Sequence, residues 1–205
     1  MFVAIADSDF IQGQEGPLSP ITWASWKLQR VARSSLAAEV QAASDTQEEL
    51  EYVRLSLYDF ILDEVNDLRM ANECISTIPG ILILDCKSLY DSVNRSESSA
   101  LGMKDKRTAI EALALRSAVM ATNTSLKWSH SEAQLADVLT KLSGPGLKFF
   151  LQFLRRGKWR LVLDPRFISS KKRALQGLKI FDDPEMEPLP EVGTCPPRQI
   201  QGISR

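Results

Sequence analysis

The sequence predicts an α/β protein with a mixed central sheet covered by helices. Strand-like and helical stretches alternate along the chain, which favours a sheet with helices packed on it. The continuous apolar run at residues 81–84 is typical of a strand buried on both faces. Apolar residues at helical spacing predict one long helix from about residue 35 to residue 62. These three observations set the fold class.

Length and composition describe an ordinary globular chain of 205 residues, 44% apolar and 25% charged. No apolar stretch approaches the roughly 18 residues needed to cross a bilayer, and the N-terminal run lacks the basic flank of a signal peptide. Cys74, Cys86 and Cys195 show no paired spacing, which argues against a zinc site or a disulfide framework. We therefore expect an intracellular protein, in the cytoplasm or nucleus.

The chain opens with two predicted strands, residues 2–6 and 21–27. The glycines and prolines between them predict a loop over residues 12–20. Residues 29–33 extend the second strand or form a short third one.

The long helix carries an acid near its start. Ser34 and Ser35 are suitable N-cap residues. Glu39 lies beside the apolar stripe and should point at the edge of the core. Two explanations suit a carboxylate there: a functional role, or a favourable charge near the helix N-terminus or paired with Arg30 or Arg33. The apolar stripe consists of Leu36, Val40, Ala43, Leu50, Val53 and Leu57.

A polar loop over residues 63–80 leads to the buried strand at 81–84, which Asp85 ends. In sheets with helices on both faces, ligand sites gather at the carboxyl ends of strands. Asp85 could belong to such a site, or it could cap the helix that begins near Ser88.

The second half continues with a loop at 92–102, a helix at 104–121 and a strand at 124–129. Ser131 and Gln134 then fit a capping box that opens a helix with the apolar face Leu135, Val138, Leu139 and Leu142. Asp137 lies at the boundary of that face. The segment at residues 144–146, Gly-Pro-Gly, should stop this helix.

Glu39, Asp85 and Asp137 could therefore converge on one side of the sheet. Clustered carboxylates raise one another's pKa and oppose folding, and a divalent cation removes that repulsion. A pair of magnesium ions roughly 3.5–4 Å apart can activate a water and stabilise the leaving oxygen of a phosphodiester.

Four stretches of the chain resemble the ribonuclease H domain at the end of a copia-type retrotransposon polyprotein. They are Ser-Trp-Lys at 25–27, the strand-to-helix stretch at 31–42 with its Ser-Ser-Leu-Ala-Ala-Glu, Leu-Asp at 84–85, and residues 127–141 with Gln-Leu-Ala-Asp-Val-Leu-Thr-Lys. The last is the most specific. The resemblance covers roughly residues 1–155 in the family's order and spacing.

The resemblance implies the ribonuclease H-like fold and Mg²⁺-dependent hydrolysis of the RNA strand of an RNA–DNA hybrid. Carried over by position, Glu39, Asp85 and Asp137 would be the catalytic and metal-binding acids of a two-ion Mg²⁺ site. His130 lies near where some relatives place a mobile histidine that assists product release, although a plain surface position suits it as well.

The chain departs from the family pattern at the first acid, because the family's first strand and its Asp have no counterpart here. Asp7 is the only substitute, and its position after the opening strand fits poorly. Without that strand the sheet would expose an unpaired edge. A preceding polyprotein segment, such as its reverse transcriptase, would complete the fold, or this is a decayed or trimmed copy.

Basic charge is concentrated in one block. Net charge is −7 over residues 1–146, +9 over 147–179 and −3 over 180–205. The block interleaves cations with aromatic residues, which suits phosphate contacts or, equally, a solvated face over a core. We divide the chain into a ribonuclease H-like domain (1–155), a basic extension (156–179) and a disordered acidic, proline-rich tail (180–205). The expected nucleic-acid contacts are Lys104, Lys106, Arg107, Arg155, Arg156 and Lys158.

Two functions from different classes follow. One is a magnesium-dependent ribonuclease domain of retroelement origin. The other is a catalytically inactive remnant that at most binds nucleic acid through the basic block. No glycine-rich phosphate loop indicates a small-molecule cofactor.

Overall fold

The computed structural model describes residues 1–28, 30–62, 68–95, 103, 105–141, 145–161, 168 and 170–177. Strands and helices alternate along this part of the chain, so the α/β class is confirmed. The strands are β1 (Phe2–Ala6), β2 (Glu15–Trp23), β3 (Gly80–Leu84), β4 (Thr124–Trp128) and β5 (Lys158–Arg160). The helices are α1 (Ser8–Ile11), α2 (Ser35–Leu62), α3 (Ala71–Thr77), α4 (Lys87–Asn94), α5 (Lys106–Ala121), α6 (Pro145–Arg156) and α7 (Ser170–Leu175).

The strands form two sheets where the sequence predicts one. In the first, β2 lies between β1 and β5, and both pairings are antiparallel. In the second, β3 and β4 pair in parallel, with Gly80 opposite Thr124 and Leu84 opposite Trp128. No strand of the described residues joins the two sheets.

The prediction of a loop at residues 12–20 is wrong, because β2 begins at Glu15 and continues through Pro17 and Pro20 to Trp23. The strand tolerates the prolines because its pairing partners change along its length. Pro17 lies opposite Lys158 of β5, and Pro20 lies opposite Ala4, where the pairing with β1 shifts register. Residues 24–28 and 30–33 are not in a strand, contrary to expectation, and residue 29 lies outside the described residues.

Helix α2 has the predicted bounds. The hydroxyl of Ser34 accepts a hydrogen bond from the N–H of Ala37 at 3.1 Å, so Ser34 is the N-cap. Together with α4 and α5, this helix covers β3 and β4. The main core consists of Val40, Ala43, Leu82, Leu84, Leu89, Val93, Ala112, Leu115 and Val119.

Two turn-like segments contain helix that the sequence did not predict. Within the expected loop at 63–80, a 3-10 turn at Leu68–Met70 leads into α3. Helix α6 begins at Pro145, inside the expected stop. A proline suits the first position of a helix, where its missing N–H has no partner to lose. The predicted helix at 104–121 and strand at 124–129 are confirmed as α5 and β4.

A second cluster lies between the three-stranded sheet and α6. It contains Phe10, Leu18, Leu135, Phe153 and Leu161. Because β5 pairs with β2 and Leu161 is buried, the folded core extends past the boundary expected at residue 155. The tail predicted at 180–205 and residues 96–102 of the predicted loop lie outside the described residues. None of the described helices combines the length and apolarity needed to cross a bilayer.

Arg54 ties α2 to both strands of the parallel sheet. Its side chain is only 2% exposed. Its Nε donates to the carbonyl of Ile78 at 2.7 Å, while its two Nη atoms donate to Thr124 Oγ1 and the Thr122 carbonyl, both at 2.8 Å. The close approach requires a glycine at the start of β3, since a Cβ on Gly80 would lie 2.7 Å from Arg54 Nη1.

We predict that Arg54→Met lowers the free energy of unfolding by about 3 kcal/mol, because it removes the guanidinium donors of the partly buried Ile78 carbonyl and the buried Thr122 carbonyl. Arg95→Met removes an exposed arginine and serves as the control. Urea denaturation of both variants measures the effect. Equal stability of the two would show that the Arg54 bonds contribute nothing net.

Candidate acidic site

Glu39 lies in the second turn of α2, at the edge of the main core. Its side chain is half-buried, and burial is the largest cause of a raised pKa. The negative charges of Asp85 and Asp137 raise the pKa further, while Lys141 lowers it. The predicted core-edge position is therefore confirmed. These three charged groups are close enough to Glu39 to act on its ionisation.

Asp85 follows β3 directly. Its main-chain carbonyl accepts from Trp128 Nε1 at 3.0 Å, and the N–H of Ser129 donates to the Leu84 carbonyl at 2.9 Å. These bonds hold together the carboxyl ends of both parallel strands. The alternative role as a helix cap is not observed, because the N-cap of α4 is Cys86.

Asp137 lies on a 3-10 helix, Leu135–Leu139, where the sequence predicts an α-helix from Ser131. The predicted capping box does not form. His130 occupies the N-cap of a separate short turn, Ser131–Ala133, and makes no side-chain cap bond. Gln134 instead extends its side chain to the sheet, where Nε2 donates to the Ile83 carbonyl at 3.0 Å. This tertiary bond replaces the local one.

The three acids line one cleft. It has a volume of about 680 Å³ and lies between β1 of the first sheet and β3 of the second. Glu39, Asp85 and Asp137 come from a helix, a strand end and a 3-10 turn that are distant in sequence, and all three border this space. The predicted convergence of the three elements is therefore observed.

The donor chemistry of this cluster suits Mg²⁺, which prefers carboxylate oxygens. Burial is the main cause of the raised pKa of Glu39, and the charges of Asp85 and Asp137 add a smaller repulsion that a cation would relieve. Asp137 is already paired, however, since its Oδ1 lies 2.6 Å from Lys141 Nζ. Among the described residues, no group of three or more His, Cys, Asp or Glu side chains is spaced to hold a metal ion. The ligand types fit the ion, and their spacing in this structure does not form a coordination sphere.

Asp7 borders the same cleft, but its carboxylate has a structural role. Its Oδ1 accepts from the N–H groups of Asp9 and Phe10, both at 3.1 Å, and so caps α1. This cap agrees with the expectation that Asp7 is a poor substitute for the missing acid of the first strand.

His130 is 2% exposed. Its ring packs edge-on against Trp128, with centroids 4.5 Å apart. A buried, packed ring fits neither the expected mobile histidine nor the surface residue that was the alternative. Residues 128–130, at the end of β4, are all buried.

Five of the six expected nucleic-acid contacts are exposed, and Lys104 lies outside the described residues. Two of the five already have acidic neighbours: Arg107 Nε lies 3.2 Å from Glu111, and Arg156 Nη1 lies 3.1 Å from Glu15. Lys106, Arg155 and Lys158 complete the set.

Three aromatic residues of the basic block belong to the second cluster or pack against it: Phe150, Phe153 and Trp159. Phe153 is 2% exposed and packs edge-on against Phe2 and Trp159. On β5, Lys158 and Arg160 are exposed, while Trp159 between them is half-buried in the second cluster. In its described part up to residue 161, the block is therefore a cationic face over an apolar interior.

Sequence reasoning missed two residues of the site. Lys141 was part of the stretch with the family resemblance, and its position four residues after Asp137 signals an ion pair on a helical turn. Gln134 was assigned to a cap. No local pattern reveals its bond to Ile83, because the partner lies 51 residues away.

Comparisons of the chain with protein-family models, curated protein sequences and solved structures found no match.

We predict that Glu39→Gln removes a pH-dependent loss of stability. A raised pKa means that the folded chain binds more protons than the unfolded chain between the ordinary Glu value of 4.5 and the folded value. Wild-type stability therefore falls as pH rises through that window, and the penalty is complete above the folded pKa of Glu39.

Urea denaturation at a series of pH values measures this difference. Glu39→Gln should be more stable than wild type at pH 7, and the two should converge below pH 4.5. Glu48→Gln removes one exposed charge from the same helix and is the control. A constant difference between Glu39→Gln and wild type at every pH would contradict the assignment.

Proposed function

We propose that this chain is a ribonuclease H-type domain of retroelement origin that hydrolyses the RNA strand of RNA–DNA hybrids with Mg²⁺. One observation carries the proposal: Glu39, Asp85 and Asp137, from three distant parts of the sequence, border one cleft beside the carboxyl end of β3. They are the acids that the resemblance assigns to the metal site. A reverse transcriptase segment of the parent polyprotein is the protein partner that the same resemblance implies.

The chemistry assigned to these residues is to hold a cation. Bound Mg²⁺ would supply an activated water and stabilise the leaving oxygen of the phosphodiester. Without the cation, Lys141 neutralises Asp137. The Asp137 carboxylate would therefore have to separate from Lys141 before this carboxylate could act as a metal ligand.

Hybrid binding would depend on shape and on phosphate contacts. Proteins recognise A-form helices mainly through backbone and 2′-hydroxyl contacts across the wide minor groove. The exposed cations at the end of α6 and on β5, Arg155 and Lys158 among them, are available for phosphate contacts.

We predict that Asp85→Asn lowers Mg²⁺-dependent cleavage of a labelled RNA–DNA hybrid by at least about 100-fold, since lesser changes around metal ligands already cost 10–100-fold. Asp91→Asn is the matched control, because Asp91 is an exposed acid paired with Lys87 on α4. Gel analysis of the RNA strand measures the rate. Equal rates for the two variants would contradict the assignment of Asp85.

A second candidate function is hybrid binding without cleavage. Two observations favour it: the 2.6 Å ion pair that engages Asp137, and the spacing of the acids in the described residues, which does not form a metal-holding group. Hybrid retention with no Mg²⁺-dependent cleavage by the wild-type chain would select this candidate over the nuclease.

Both candidates predict phosphate contacts from the basic block. Arg155→Gln and Lys158→Gln should each weaken hybrid binding and reduce the slope of log K against log salt by about 1. Arg95→Gln removes an exposed arginine outside the block and should leave the slope unchanged. Fluorescence anisotropy over a salt series measures the slopes. An unchanged slope in both block variants would exclude these contacts.

A further inference from the structure

In the part of the chain that the structure describes, no strand pairs with the β3 edge that faces away from β4. The Leu84 carbonyl accepts from Ser129, so it points along the β4 side. Successive residues of a strand turn their N–H and C=O groups to opposite edges. Ile81 and Ile83 therefore present theirs to the other edge, on the side of the cleft. There, Gln134 Nε2 donates to the Ile83 carbonyl.

The β1 edge that faces away from β2 likewise pairs with no strand of the described residues. The Met1 amine donates to the Ala24 carbonyl at 3.0 Å, and the Ala24 N–H donates to the Met1 carbonyl at 3.2 Å. Met1 thus faces β2, and alternation turns the main-chain groups of Phe2 and Ala4 away from it. Pro20, which has no N–H, lies opposite Ala4.

These two edges border the same cleft. Every residue of β1 and of β3 lines it, and α2 packs against both strands from one face. The α2 wall is apolar, with half-exposed Leu50, Val53 and Leu57. The opposite wall carries Leu135, Trp159 and Leu161. The cleft therefore has main-chain hydrogen-bonding groups along two sides and apolar side chains on the other two.

A peptide in extended conformation matches that arrangement. Its N–H and C=O groups alternate toward both edges, and its side chains alternate toward both apolar walls. β3 has five residues, which at a rise of about 3.3 Å per residue gives a length of about 17 Å. The acids Glu39, Asp85 and Asp137 border the cleft, with Lys141 as their neighbouring cation. The negative charge of the three acids favours basic residues that flank the apolar part of the peptide.

We propose that the cleft between β1 and β3 docks an extended strand from a partner chain, apolar over about five residues and flanked by basic residues. Docking would join the two sheets into one by adding a strand to both edges. Gln134 Nε2 donates a hydrogen bond to the Ile83 carbonyl, as a main-chain N–H of the docked strand would. On docking, the strand N–H would replace Gln134 as the donor. This binding does not rest on the nuclease proposal, because it needs neither a metal ion nor nucleic acid, although both proposals use the acids that border the cleft.

The test uses the full chain in EDTA with a synthetic peptide: a central run of valine and isoleucine flanked by lysines. Calorimetry measures affinity, and amide hydrogen exchange by NMR reports on individual residues. We expect binding to slow exchange at Phe2, Ala4, Ile81 and Ile83 by at least about 10-fold. A peptide with alternate amides N-methylated should bind at least about 10-fold more weakly, because it cannot form the edge hydrogen bonds. A glutamate-flanked peptide should also bind more weakly.

Variants of the chain locate the site. Ala42 is exposed on α2 and lines the cleft, so Ala42→Trp should fill the space and weaken binding at least about 10-fold. Ala114→Trp is the matched control, because Ala114 is exposed on α5 and is not part of the cleft lining. Gln134→Ala should strengthen binding, since it frees the Ile83 carbonyl.

The proposal fails if the lysine-flanked peptide does not bind at millimolar concentration, or if the N-methylated peptide binds equally well. It also fails if Ala42→Trp and Ala114→Trp behave alike. Dimerisation of the chain alone, seen by analytical ultracentrifugation and removed by Ala42→Trp, would assign the cleft to a second copy and overturn the partner-strand proposal. Loss of hybrid cleavage by Asp85→Asn bears on the nuclease proposal alone, so the two can fail separately.

Discussion

The packing of α2 across β3 is the interaction on which the rest of the structure depends. Val40 and Ala43 of the helix share a core with Leu82 and Leu84 of the strand, so the apolar stripe covers the parallel sheet. At the far end, Arg54 reaches past the strand starts to the Ile78 and Thr122 carbonyls. Apolar burial provides most of the driving force, and the guanidinium fixes how helix and strands align.

That alignment also brings Glu39 near the acids. With Arg54 at the start of β3 and Glu39 more than four helical turns earlier on α2, the helix spans the strand and places Glu39 toward Asp85. The raised pKa of Glu39 has burial as its largest cause and the neighbouring acids next, so the same packing that stabilises the core makes this carboxylate harder to ionise. Lys141 partly offsets this effect. Burial thus contributes more than acid–acid repulsion to the raised pKa of Glu39.

The split between the two sheets is the other main constraint. Unpaired strand edges are normally covered, paired or protected by charge. Here Gln134 bonds to one edge, and the acids lie beside the cleft. The cleft between β1 and β3 therefore combines two features: an apolar groove lined by main-chain hydrogen-bonding groups, and an acidic border. A strand in the groove would also change the surroundings of the acids, since both features share one cleft.

Sequence alone determined the α/β class, the bounds of α2 with its Ser34 cap, and the buried strand that ends at Asp85. These features follow from local periodicity and capping, which depend on residues within a few positions of one another. Tertiary structure decided the rest. The prolines lie inside β2 because β1 and β5 pair with this strand. Short 3-10 turns form around Asp137 because Gln134 bonds to Ile83, and His130 is buried against Trp128. Each of these outcomes depends on main-chain pairing or side-chain packing with partners that the local sequence pattern does not specify.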